Sequence, residues 1–146
     1  MLSWETMTTT KETRNDRQKK RRVLVVEDEG LVSEMICWSL EELGYQITER
    51  IFTGADAVEM TLVREPDVVI LDINLPDIHG IEVIREIQKT CPTPIVVLTA
   101  HDDLDLVRRA GEAGAGAYLI KPASGREMER AITLAVAAFN RVTAIE

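Results

Sequence analysis

Residues 66–80 read Pro-Asp-Val-Val-Ile-Leu-Asp-Ile-Asn-Leu-Pro-Asp-Ile-His-Gly. The apolar run Val68 to Leu71 has no polar alternation, which is how a strand covered on both faces reads, and it stops at an acid, Asp72. Pro76 lies in the loop that follows. Beyond Gly80, Ile81, Ile84 and Ile87 repeat at intervals of three, as along one helix face. Pro92 and Pro94 prevent that helix from continuing. A buried strand, an acid at its carboxyl end and a covering helix make one unit of an α/β fold.

The same unit recurs on both sides. Val23-Leu24-Val25-Val26 precedes three acids, and a helix is expected from about Gly30 to Leu43, with Leu31, Met35 and other apolar residues near helical spacing and Gly44 as a left-handed cap. A weaker strand falls near Tyr45 to Phe52, then a helix from Ala55 to about Val63 that ends before Pro66. Ile95-Val96-Val97-Leu98 ends at Thr99 and leads to a polar helix from about Asp102 to Ala113. Ala117 to Ile120 ends at Lys121-Pro122. Ser124 and Glu127 form a capping box for a last helix in which Met128, Ile132, Ala135 and Phe139 share a stripe. Five alternating units predict a parallel sheet with helices on both faces.

Charge marks the one boundary. Residues 1–22 carry seven Lys or Arg against three acids, and the rest carries ten basic against 22 acidic residues. The polar, basic segment 1–21 cannot bury enough surface to offset its ordering entropy, so it reads as a disordered extension. Met7 is an alternative start within it. The domain itself is read as 22–142, with 143–146 as its carboxyl end. Its acidity repels nucleic acid phosphates, and no apolar run approaches the roughly 20 residues of a membrane span. Without a secretory signal at Met1 to Thr10, the sequence points to the cytoplasm. Cys37 and Cys91 have no metal-ligand spacing and read as reduced thiols.

In an open parallel sheet, ligands bind beyond the carboxyl ends of the strands. There the sequence places Glu27, Asp28 and Glu29 after strand one, Asp72 after strand three, Thr99 after strand four and Lys121 after strand five. Singly these residues are unremarkable: Asp28 or Glu29 reads first as a helix N-cap, Thr99 as a turn residue and Lys121 as a solvated charge. Together they are a constellation. Crowded carboxylates call for a hard divalent cation, and Mg²⁺ fits because it needs few carboxylates and keeps waters that a phosphate can replace. Asp72 can then act as a nucleophile toward phosphorus, with Lys121 and the Thr99 hydroxyl facing the charge spread over the phosphoryl oxygens. Ala100 is small enough to let phosphate approach its backbone N–H.

Val-Val-Glu-Asp-Glu at 25–29, Leu-Asp-Ile-Asn-Leu-Pro-Asp-Ile-His-Gly at 71–80, Val-Leu-Thr-Ala at 97–100 and Tyr-Leu-Ile-Lys-Pro at 118–122 closely resemble the receiver domain of two-component response regulators. The resemblance covers about Val23 to Val142. It implies a flavodoxin-like (βα)5 three-layer sandwich with sheet order 2-1-3-4-5. It further implies that Asp72 accepts a phosphoryl group from a sensor histidine kinase or histidine phosphotransfer protein. Glu27, Asp28, Asp72 and the backbone carbonyl of Asn74 would hold Mg²⁺. Thr99 and Lys121 would contact the phosphoryl oxygens, Thr99 and Tyr118 would act as the switch, and Asn74, Ala100 and His101 would modulate phosphate lifetime. Pro122 matches a position where the family has a cis peptide bond. Such a domain catalyses only its own phosphorylation and dephosphorylation. It signals by protein contact through the surface of its fourth helix, fifth strand and fifth helix, a face that also serves homodimers.

Four functions are open to a chain with these residues. The first is a stand-alone switch acting on an unknown downstream protein, and the second a receiver fragment of a longer DNA-binding regulator or hybrid kinase. A flavodoxin-like cofactor binder would want a Gly- and Ser/Thr-rich loop where this rim has carboxylates. An inert pseudo-receiver would not need Glu27, Asp28, Asp72, Thr99 and Lys121 intact.

Overall fold

The computed structural model of the chain describes residues 21–100 and 103–145. The basic extension before Arg21 lies outside these residues, and so does His101. Five strands, β1 (Arg22–Val26), β2 (Gln46–Ile51), β3 (Val68–Asp72), β4 (Ile95–Thr99) and β5 (Ala117–Ile120), form one parallel sheet in the order β2-β1-β3-β4-β5. They alternate with α1 (Gly30–Glu42), α2 (Gly54–Arg64), α3 (Gly80–Thr90), α4 (Leu104–Ala113) and α5 (Gly125–Ile145). The last helix runs past the boundary at residue 142 read from the sequence.

The three central strands are buried at every apolar position, and successive side chains go to opposite faces. Val23, Val25, Val68, Ile70, Val96 and Leu98 pack with Ile36 and Leu40 of α1 and Met128, Ile132 and Ala135 of α5. On the other face, Leu24, Val26, Val69, Leu71, Ile95 and Val97 pack with Ala57 of α2, Ile81, Ile84 and Ile87 of α3 and Ala110 of α4. Each such Val, Leu or Ile contributes about 1.5–3 kcal/mol of burial, which is why uninterrupted apolar runs suit the middle of this sheet. β2 is an edge strand with half-buried polar residues and a register irregularity opposite Val23 and Leu24, so its sequence signal is weak.

In α1 the buried residues are Ser33, Ile36, Cys37 and Leu40, while Leu31 and Met35 are exposed. Their helical spacing is real, but it lies on the face turned away from the sheet. Helix ends follow their caps. Gly44 (φ 94°) and Gly114 (φ 123°) take the positive φ that ends α1 and α4. α2 ends on a non-glycine residue in the same region, Glu65 (φ 48°), and the Arg22 guanidinium donates to the terminal carbonyls of Glu65 (2.9 Å) and Arg64 (2.6 Å). The capping box of α5 forms reciprocally: the Ser124 N–H donates to Glu127 Oε1 (3.0 Å) and the Glu127 N–H to Ser124 Oγ (3.1 Å).

The chain passes from β1 to β2 on one side, then returns to place β3 on the other side of β1. The crevice beyond the carboxyl ends of β1 and β3 is therefore the topological switch point, where open α/β sheets bind ligands.

Candidate functional site

Two of the acids at the switch point are held by the backbone that leaves their strands. The N–H of Glu29 donates to Glu27 Oε2 (3.1 Å), and the N–H of Asn74 donates to Asp72 Oδ1 (3.0 Å). Glu27 is fully buried and Asp72 nearly so, whereas Asp28 and Asn74 are exposed. Oxygens of Glu27, Asp28 and Asp72 lie within 4.8 Å of one another. Glu29 occupies the N-cap position of α1 but its side chain makes no capping hydrogen bond. Helix capping does not explain Glu29.

Lys121 closes the site from β5. Its Nζ lies 2.6 Å from Glu27 Oε1 and 3.2 Å from Asp72 Oδ2. Burial pushes the Glu27 carboxyl above its usual range, and the Lys121 ammonium only partly offsets this. Burial works to lower the Lys121 value, but the adjacent Glu27 carboxylate and the charge of Asp72 outweigh it and raise the ammonium above its usual range. Glu27 Oε1 meets Nζ as an ion pair but has no hydrogen-bond partner among the described residues. A buried acid oxygen without a donor, beside two more carboxylates of which one is exposed, suits a hard cation reached from solvent. The donor set fits Mg²⁺.

Thr99 ends β4 with its side chain buried, and its carbonyl accepts the Lys121 N–H (2.8 Å), which sets β4 and β5 in register at the rim. The Lys121-Pro122 peptide is cis, as the resemblance implied. Ala100 is exposed at the end of the same strand. Val97 and Tyr118 are register partners, as are Thr99 and Ile120. Because Ala117 and Leu119 pack into the core on the α1 and α5 side, Tyr118 points to the opposite face, the one to which Thr99 also belongs by alternation. Tyr118 is 43% exposed there.

The sequence thus brought Glu27, Asp28, Asp72 and Lys121 to one place, with Asn74, Thr99 and Ala100 at the same rim. A residue it did not flag is Asp77. Its carboxylate accepts the N–H groups of Gly54 (2.8 Å) and Ala55 (3.1 Å) at the start of α2. A contact between residues 23 apart leaves no local pattern to find.

Residues 23–133 match the family model described as the response regulator receiver domain. The chain belongs to that family. As a receiver domain it is a signalling switch of two-component systems rather than a conventional enzyme; phosphorylation and Mg²⁺ binding are general to the family. The chain is 44% identical over 131 residues to the transcriptional regulatory protein PdtaR of Mycobacterium tuberculosis, covering 90% of this chain and 64% of that protein. It therefore spans somewhat less than two thirds of the curated relative. The receiver domain of the putative response regulator NarL from Mycobacterium tuberculosis superposes with a TM-score of 0.76 at 28% identity, covering 81% of this chain and 97% of that one. The chemotaxis response regulator CheY4 of Vibrio cholerae superposes with a TM-score of 0.73 at 24% identity, over 80% of this chain and 98% of that one, which shows the shared fold.

Proposed function

We propose that Asp72 is the phosphate acceptor of this receiver and that Glu27, Asp28, Asp72 and the Asn74 backbone carbonyl hold Mg²⁺. The observation that carries this reading is the Lys121 ammonium within reach of both Glu27 and Asp72 at the switch point. The donor is a phosphohistidine on a sensor histidine kinase or phosphotransfer protein. One Asp72 carboxylate oxygen forms the new bond to phosphorus while the bond from phosphorus to the imidazole nitrogen breaks, its electron pair leaving with that nitrogen. The product is an acyl phosphate on Asp72. Bound Mg²⁺ supplies charge to offset the phosphoryl oxygens. Lys121 releases its hold on Asp72 and pairs with one of those oxygens, and the Thr99 hydroxyl donates to another.

The phosphorylated state is read by protein partners on the surface of α4, β5 and α5, which is also the face for a homodimer. Arg109, Arg126 and Arg130 are exposed there, while Arg108 is engaged by Asp105 and Glu112 of its own helix. Asn74, Ala100 and His101 tune how long the phosphate survives. The switch works in the cytoplasm, in keeping with the free thiols of Cys37 and Cys91. A second reading has one specific support: PdtaR, named as a transcriptional regulatory protein, is longer than the stretch matched here, so this receiver would govern an output segment of such a regulator.

The test uses Mg²⁺ and acetyl phosphate, with intact mass as the readout. One phosphoryl mass is gained by the parent and by neither Asp72→Asn nor Asp28→Ala. Full labelling of Asp28→Ala in the presence of a chelator would refute the metal site.

A further inference from the structure

The loop between β3 and α3 carries Asn74, and its two ends are pinched together. The Gly80 N–H donates to the Ile73 carbonyl (2.8 Å), and a Cβ on Gly80 would lie 2.5 Å from Ile73 Cα, so only glycine allows this approach. The tip of the loop rests elsewhere. Among the described residues, the side-chain hydrogen bonds that tie it to another element are those of Asp77 to the N–H groups of Gly54 and Ala55.

Thr53 caps α2 in part. Thr53 Oγ1 already accepts the Asp56 N–H (3.2 Å), and the Thr53 carbonyl accepts the Ala57 N–H (3.1 Å). Asp77 takes the two remaining donors of the first turn, which also present the positive end of the helix dipole to a carboxylate. The backbone N–H of Gly54 and then that of Ala55 hold the Asp77 carboxyl below its usual range although it is exposed to solvent, so it remains an anion at neutral pH. Gly54 makes the approach feasible as well: a Cβ there would sit 2.8 Å from Val83 Cγ2 and 3.0 Å from Ile78 Cβ.

We infer that Asp77 is a positioning residue for the metal site, latching the tip of the β3–α3 loop to α2 and thereby fixing the Asn74 carbonyl at the rim. This rests on the reading of Asn74 as a carbonyl ligand given above. A carbonyl on an unlatched loop samples many positions, and a cation that demands near-ideal octahedral geometry loses affinity when a ligand must first be ordered.

Titration calorimetry with MgCl₂ on the parent, Asp77→Ala and Asp77→Asn tests it, alongside urea unfolding of each. Asn keeps one of the two oxygens, so it can still accept the Gly54 N–H while losing the Ala55 bond and the charge. Asp77→Ala is expected to weaken Mg²⁺ binding about fivefold, less than the roughly 10- to 100-fold of a group bonded directly to a metal ligand. Asp77→Asn, with one of the two bonds left, is expected to weaken it about twofold. Equal weakening in both variants would make the effect one of charge, and unchanged affinity in Asp77→Ala with the fold intact would remove the latch. A parent that binds no Mg²⁺ at all would overturn the metal reading itself and the latch with it.

Discussion

The ammonium of Lys121 stands 2.6 Å from Oε1 of Glu27, a carboxylate with no exposed surface, and so joins the end of β5 to the end of β1 across β3 and β4. The ammonium lies in the acidic crevice formed by Glu27, Asp28 and Asp72. Lys121 and a divalent ion held by these carboxylates would compete for the same oxygens.

Replacing Lys121 with methionine keeps much of the stem and removes the competitor. Lys121→Met is expected to bind Mg²⁺ more tightly than the parent by calorimetry and to lose most labelling by acetyl phosphate. Stability without metal should fall by about 1–2 kcal/mol, less than the roughly 3–5 of a fully buried pair because the lysine is partly exposed. Weaker Mg²⁺ binding in the variant would contradict this competition.

The capping box of α5 gives a pH dependence of known sign. The Ser124 N–H, its main hydrogen-bond partner, holds the Glu127 carboxyl below its ordinary value of 4.5. A carboxyl depressed on folding contributes stability that is present above the unfolded value and lost as pH falls through the folded one. Urea unfolding should find Glu127→Gln less stable than the parent at pH 7, with the gap closing below pH 4.5. A gap that stays constant down to acid would show that Glu127 contributes nothing through its charge.

β1, β3 and β4 were legible because a strand buried on both faces must be apolar throughout, and the acids, hydroxyl and amine at their ends stood out against it. The sheet order came from the family resemblance. β2 was less distinct because edge position lets its residues be polar. The periodicity that located α1 named Leu31 and Met35, which face solvent, since spacing fixes a helix but not which stripe the sheet covers. Asp77 was invisible because its partners come from a different unit of the fold.

Two glycines should respond in opposite directions to the same change. Gly80→Ala places a methyl against the Ile73 backbone and should cost about 1–3 kcal/mol. In Gly111→Ala the methyl meets nothing within 4 Å, and α4 should gain about 0.5–1 kcal/mol. Thermal unfolding of both variants checks this. A neutral Gly80→Ala would mean the β3–α3 loop is free to move aside.

Signal output depends on whether Thr99 and Tyr118 act as one element. Thr99 is buried in β4, and Tyr118, 43% exposed, lies on the same face of the neighbouring strand. On this reading, movement of Thr99 toward the phosphate would open space for the ring and give each state its own contacts, as a population shift requires. Thr99→Ala is expected to accept phosphate yet lose most of the amide NMR shifts that beryllofluoride produces across α4 and α5. The parent's full pattern of shifts in that variant would end this coupling route.

If Asp72 carries the phosphoryl group, the acyl phosphate can be trapped where it forms. Borohydride reduces the carboxyl carbon of a phosphorylated aspartate to an alcohol, leaving homoserine and free phosphate. Protein labelled with acetyl phosphate and Mg²⁺, then reduced, digested and sequenced by mass spectrometry, should carry homoserine at position 72 and unchanged aspartate at 28 and 77. Homoserine at position 28 or 77, with Asp72 intact in fully labelled protein, would contradict the account.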